Sequence, residues 1–120
     1  MVQYNSADLD ASFMALSDAT RRGILERLGH KESSVSALAD AFDMTLTGMK
    51  KHIGVLEQAG LVTTEKLGRV RTCRLRGPGL VAEAAWIAGL QQLWEARFDA
   101  LDAIVEDLKR KEQSDGPEHA

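Results

Sequence analysis

The chain has 120 residues, 44% of them hydrophobic and 28% charged, which suits one domain with one core and excludes a disordered or fibrous composition. Its apolar runs fall far short of the ~20 residues a membrane span needs, and the opening "MVQYNSADLD" lacks the basic-then-apolar order of a signal peptide. The net charge of −3 is polarised: residues 44–76 carry seven Lys/Arg against two acids, a net of +5, and the remainder nets −8.

A local positive field, more than total charge, is what a nucleic acid meets, although a solvated basic face would look the same at this level. The single cysteine, Cys73, excludes a disulfide within the chain and suits a reducing cytoplasm.

In chain order, "DLDASFMALS" predicts a helix over 8–17 with Leu9, Phe13 and Leu16 on one face. Asp18 is an N-cap for a second helix with Ile24, Leu25 and Leu28 inward, which Gly29 is expected to stop. "HKESS" reads as a polar connection, and Ser34 caps a third helix, "VSALADAF". After the short turn "DM", Thr45 caps a fourth helix over 45–59, ended by Gly60. Two helices joined by so short a turn make a helix-turn-helix. "LVTTEKL" and "VRTCRL", either side of "GR", predict a β-hairpin over 61–76 that carries Lys66, Arg69, Arg71, Arg74 and Arg76, a basic wing.

"GPGL" breaks the chain before a long helix over 79–112. Ile87, Trp94, Leu101 and Leu108 repeat every seven residues, with Leu90, Phe98 and Val105 beside them, the pattern of a helix–helix seam. The expected partner is the same helix of a second chain, assisted by Leu9 and Phe13 of the first helix; packing within one chain is the alternative. Residues 113–120 are polar and expected to be a disordered tail. The fold class expected is mainly α with a small β-hairpin, a winged helix-turn-helix of four helices, two strands and a final helix.

On a helical wheel of residues 45–59, Met49, Ile53 and Leu56 face inward, while Thr47, Lys50, Lys51, Gly54 and Gln58 face out and His52 sits at the margin. Lysines neutralise phosphates, and threonine hydroxyls and a helix N-terminus bond phosphate oxygens. Gly48 and Gly54 cost about 1 kcal/mol each relative to Ala in a helix interior. Either they allow close approach to a duplex or they make room for a neighbouring helix.

Three stretches carry a family resemblance. "ALSDATRRGILERL" resembles "ALADPTRRRILELL", "VSALADAFDMTLTGMKKHIGVLEQAGLV" resembles "V.ELAE.LGLSQPAVSKHLKVLEEAGLV", and "EKLGRVRTCRL" is similar to "RREGRRRYYRL", all of the ArsR/SmtB family of small bacterial winged-helix repressors. The resemblance covers roughly residues 9–77. It implies a homodimeric transcriptional regulator, usually a repressor, that reads a pseudo-palindromic operator with its recognition helix in the major groove and its wing alongside. It also implies a dimer interface made by the first and last helices.

Matched position by position, Thr45 stands at the family's capping serine, Leu46 and Thr47 replace Gln-Pro, and Gly48 and Met49 replace Ala-Val. Lys50 replaces a serine, Lys51 and His52 match Lys-His, and Gly68, Arg69 and Arg71 match the wing tip. Leu46 cannot make the bidentate adenine contact open to glutamine, so base readout is expected to differ from the family's.

The family's metal-binding "C-V-C" is Ser34-Val35-Ser36 here, and residues 80–112 hold no histidine for its second site. Serine is a poor ligand for soft metals, so neither metal nor other cofactor is expected. Cys73 reads as a buried small apolar residue, with an oxidation switch as the alternative. No phosphate loop or nucleophile–base pair is present, and no catalytic residue is expected. The rival to DNA binding is a winged-helix module used for protein–protein contact.

Overall fold

In the computed structural model, which describes residues 6–115, the chain forms two units, a winged unit ending at Glu83 and a helical unit from Ala84 onward. The elements are α1 (Ser6–Leu16), α2 (Ala19–His30), β1 (Ser33–Ser34), α3 (Val35–Ala41), α4 (Leu46–Gln58), β2 (Val62–Leu67), β3 (Val70–Leu75) and α5 (Val81–Asp115). The winged helix-turn-helix class is as expected, but the order contains one more strand. β1 pairs antiparallel with β3, so the sheet order is β1-β3-β2 and the hairpin's second strand becomes the middle of a three-stranded sheet. Ser33 and Ser34 carry no strand pattern of their own; they are strands only because β3 offers Cys73 and Thr72 opposite them.

Local chemistry starts and stops most of these elements. The side chains of Asp18, Ser34 and Thr45 accept from the backbone N–H of Arg21, Ala37 and Gly48 at 3.1, 3.0 and 3.0 Å, each capping a helix as its position predicts. α4 ends in a Schellman motif: Leu61 N–H donates to the Leu56 carbonyl at 3.0 Å, Gly60 N–H to that of Glu57 at 2.9 Å, and Gly60 takes φ +76°. α3 ends the same way, with Met44 N–H on the Ala39 carbonyl at 2.9 Å and Asp43 in the left-handed region at φ +52°. That motif sets the tight turn between the two helices of the helix-turn-helix.

Several boundaries differ from the sequence expectation, and α1 itself spans Ser6–Leu16 rather than 8–17. α2 runs through Gly29 to His30, because glycine there keeps helical backbone and Lys31 N–H closes the last turn on the Arg27 carbonyl. α5 begins at Val81 rather than 79, since Gly77 and Gly79 adopt φ +48° and +67° and hold the chain out of the helix. At its other end α5 reaches Asp115, so residues 113–115 are helical rather than tail, and residues 116–120 lie outside the described residues.

The core of the winged unit gathers Ile24 and Leu28 of α2, Val35 and Leu38 of α3, Met49, Ile53 and Leu56 of α4, Leu61 and Val62 of β2's approach, and Cys73 of β3. α1 contributes Ser12 and Ala15, both buried, while Leu9, Phe13 and Leu16 are only half-buried. The small residues therefore form its innermost line, and the large apolar ones flank it. In the second unit Leu90, Trp94, Phe98, Leu101, Val105 and Leu108 are all exposed.

Candidate DNA-binding surface

Burial of Met49, Ile53 and Leu56 fixes how α4 is turned. Thr45, Leu46, Thr47, Lys50 and Lys51 are consequently exposed, with Gly48 and Gly54 half-buried among them. The two glycines have different surroundings. A Cβ on Gly48 would stand 3.1 Å from Thr45 Oγ1 and 3.3 Å from Met44 Cε, so glycine leaves space for the capping bond itself. A Cβ on Gly54 would meet nothing within 4 Å, so no neighbouring helix requires that residue to be small.

The wing is a two-residue hairpin. Leu67 pairs with Val70, and Gly68 takes φ +64° at the first loop position, as a II′ turn requires. Lys66 and Arg69 are exposed near the tip. Arg71 is held: its Nη1 donates to Thr64 Oγ1 at 3.0 Å, and that hydroxyl donates to Glu57 Oε2 at 2.9 Å. This chain runs from β3 through β2 to α4, so the wing is tied to the recognition helix by a cation whose aim is set in advance. Arg74 instead faces Glu65 at 3.8 Å, a solvated pair of little energetic weight. Leu46 and Lys50 of α4 share one cleft with Lys66, Arg69 and Arg71 of the wing.

His52 is placed apart from this surface. It is half-buried at the corner of α1, α2 and α4, with Nδ1 3.3 Å from Arg21 Nη1 and 3.9 Å from Asp18 Oδ2. A guanidinium only donates, so the tautomer that makes this bond accepts at Nδ1 and carries its proton on Nε2. Arg21 also donates through Nε to the Ala15 carbonyl at 2.9 Å and through Nη2 to that of Met14 at 3.0 Å. Arg22 Nη1 donates to the Leu16 carbonyl at 2.7 Å.

The two arginines of "TRR" therefore satisfy the open C-terminal carbonyls of α1, and Arg21 extends the link to α4. Sequence reasoning missed this role, because Arg21 and His52 are 31 residues apart. The Arg21 backbone N–H, against the opposing effect of burial and with lesser help from the positive charges of a protonated His52 and of Arg21, holds the Asp18 carboxyl below the usual carboxylate range.

Among the described residues no three His, Cys, Asp or Glu side chains gather to hold a metal ion, and no helix is long and apolar enough to cross a membrane. Ser34 and Ser36 lie on the wall of the cleft below the wing.

Residues 16–65 match a family model described as a helix-turn-helix domain. The chain is 37% identical over 97 residues to the HTH-type transcriptional regulator Rv2034 of Mycobacterium tuberculosis, covering 81% of this chain and 88% of that protein. It is 33% identical over 102 residues to the arsenical resistance operon repressor of Escherichia coli, covering 82% and 83%. The crystal structure of an ArsR family transcriptional regulator, RHA00566, superposes with a TM-score of 0.72 at 46% identity, over 79% of this chain and 97% of that one. Sequence and fold thus agree, and the chain belongs to the ArsR family of winged helix-turn-helix transcriptional regulators.

Proposed function

We propose that this regulator is a repressor that binds a pseudo-palindromic operator as a homodimer, with α4 in the major groove and the wing on flanking DNA. The observation that carries this reading is the common orientation of α4 and the wing. The core-facing residues of α4 turn Thr45, Leu46, Thr47, Lys50 and Lys51 outward, and the same side of the fold presents Lys66, Arg69 and Arg71. Lysines and arginines there contact phosphates, the α4 N-terminus and threonine hydroxyls fix register, and Leu46 offers an apolar contact such as a thymine methyl accepts. Gly48 serves the cap, and His52 steadies the helix from behind. The Escherichia coli relative is named as a repressor, which is the regulatory sign adopted for this chain.

Dimerisation is assigned to α5 and α1. Leu90, Trp94, Phe98, Leu101, Val105 and Leu108 form an exposed apolar stripe on α5, and such a stripe is far larger than a solvated helix needs. The family resemblance assigns Leu9 and Phe13, half-buried on α1, to the same proposed interface. Two-fold symmetry would then set two α4 helices about one turn of DNA apart, roughly 34 Å.

Equilibrium binding to duplexes at several salt concentrations tests the DNA surface. Lys51→Ala and Arg71→Ala are each expected to weaken binding to every duplex and to reduce the slope of log K against log salt by about 1. Unchanged affinity in both variants would refute the surface, and binding insensitive to salt would favour a protein–protein module.

A further inference from the structure

We propose that the cleft between α4 and the wing seats one backbone phosphate of the DNA, with Ser36, Lys50 and Arg71 as its donors. This rests on the DNA-binding reading above and adds a residue, Ser36 of α3, that lies outside the recognition helix and the wing. The cleft encloses about 280 Å³, and its wall contains four basic side chains and no carboxylate. Among the described residues Lys50, Lys66 and Arg69 make no ion pair, so their charges repel one another until an anion enters.

Arg71 is the best-organised of them. One nitrogen is fixed on Thr64, and the rest of the fork makes no other bond among the described residues, so it can grip an anion without losing much side-chain freedom. Ser36 supplies a hydroxyl to the same cleft. Ser34 spends its own hydroxyl capping α3, whereas the hydroxyl of Ser36, exposed in the first turn, makes no hydrogen bond among the described residues. Pairing of Ser34 with Thr72, the neighbour of Arg71, pins the start of α3 to the wing and so fixes the width of the cleft.

Leu46, Val35 and Val70 make the remaining wall apolar. A free inorganic anion gains nothing from such a wall, but the deoxyribose on either side of a phosphodiester does. The chemistry therefore favours a DNA strand threading between helix and wing over a small free oxyanion.

The test uses the full chain and a duplex selected by it from a random library, remade with single uncharged methylphosphonates along each strand. Wild-type protein is expected to lose about tenfold in affinity when the seated phosphate is neutralised. Ser36→Ala is expected to weaken binding to unmodified DNA about threefold to tenfold. At that one position, methylphosphonate should then cost Ser36→Ala and Lys50→Ala distinctly less than it costs wild type, the signature of a shared contact. Arg71→Lys, which keeps the charge and loses the fork, should show the same reduced sensitivity. Lys51→Ala, whose side chain is outside the cleft, should keep the full wild-type loss there.

If wild type binds the duplex but no position couples to Ser36, Lys50 or Arg71, the phosphate seat is overturned while DNA binding stands. If no duplex is selected at all, the proposed function and this seat fail together.

Discussion

Cys73 sits fully buried in the middle strand, and burial, reinforced by the Glu57 carboxylate, pushes its thiol from an ordinary 9.0 up to about 11. The thiolate is the reactive form, so this residue is guarded twice, by its position and by its protonation. The oxidation switch left open by sequence is therefore disfavoured. Iodoacetamide labelling followed by mass spectrometry at pH 8 is expected to modify Cys73 only as fast as the domain opens, and rapidly once denaturant unfolds it. Labelling of native protein at the rate of a free thiol would contradict this burial. Because the folded value lies above the unfolded one, the thiol's contribution to stability is intact below pH 9 and is lost as pH rises towards about 11. The Glu57 carboxylate thus does two things: it raises Cys73 and anchors the Thr64–Arg71 chain.

At the scale of the element, α4 shows how much of a recognition helix is written locally. Its cap, its inward triad and its Schellman ending each follow from residues within seven positions of one another, and each is legible as a pattern. Its glycines were not legible, because spacing cannot tell which side of a helix is crowded. With the surroundings known, Gly48 is explained by its own cap, and Gly54 faces open space beside the cleft. Gly54→Ala is expected to stabilise the protein by about 1 kcal/mol, read as a higher midpoint in urea, and to weaken DNA binding by holding the duplex off the helix. Stabilisation with unaltered affinity would show that the duplex does not approach there.

The end of α2 differs from the sequence expectation for a local reason. Sequence predicts a stop at Gly29 because glycine often ends helices, yet a glycine stops one only where the chain must turn left-handed, as at Gly60 and not at Gly29.

For the whole molecule, α5 is the feature with the largest consequence. Its 35 residues extend about 50 Å, and its apolar stripe includes Trp94, 57% exposed in the single chain. Trp94→Glu or Leu101→Glu is expected to convert a dimer to monomers in sedimentation velocity. Operator affinity should fall with it, since two half-sites would no longer be engaged together. A dimer that survives both substitutions would move the contact away from this stripe. The Arg21 network matters at the same scale, because it joins the C-terminus of α1 to α4. A change in the seating of α1 therefore has a direct route to the recognition helix.

Sequence by itself determined the class of the fold, the caps, the inward face of α4, the basic wing and the seven-residue stripe of α5. These depend on contacts between residues close along the chain or on periodicities that repeat within one element, so they can be read without knowing what lies opposite. Tertiary structure alone decided the pairing of β1 with β3, the withdrawal of His52 to Arg21 and Asp18, the rotation of α1 onto Ser12 and Ala15, and the cleft that Ser36 and Arg71 both line. Each of those joins elements far apart in sequence, and its geometry exists only once the shared core has set their distances.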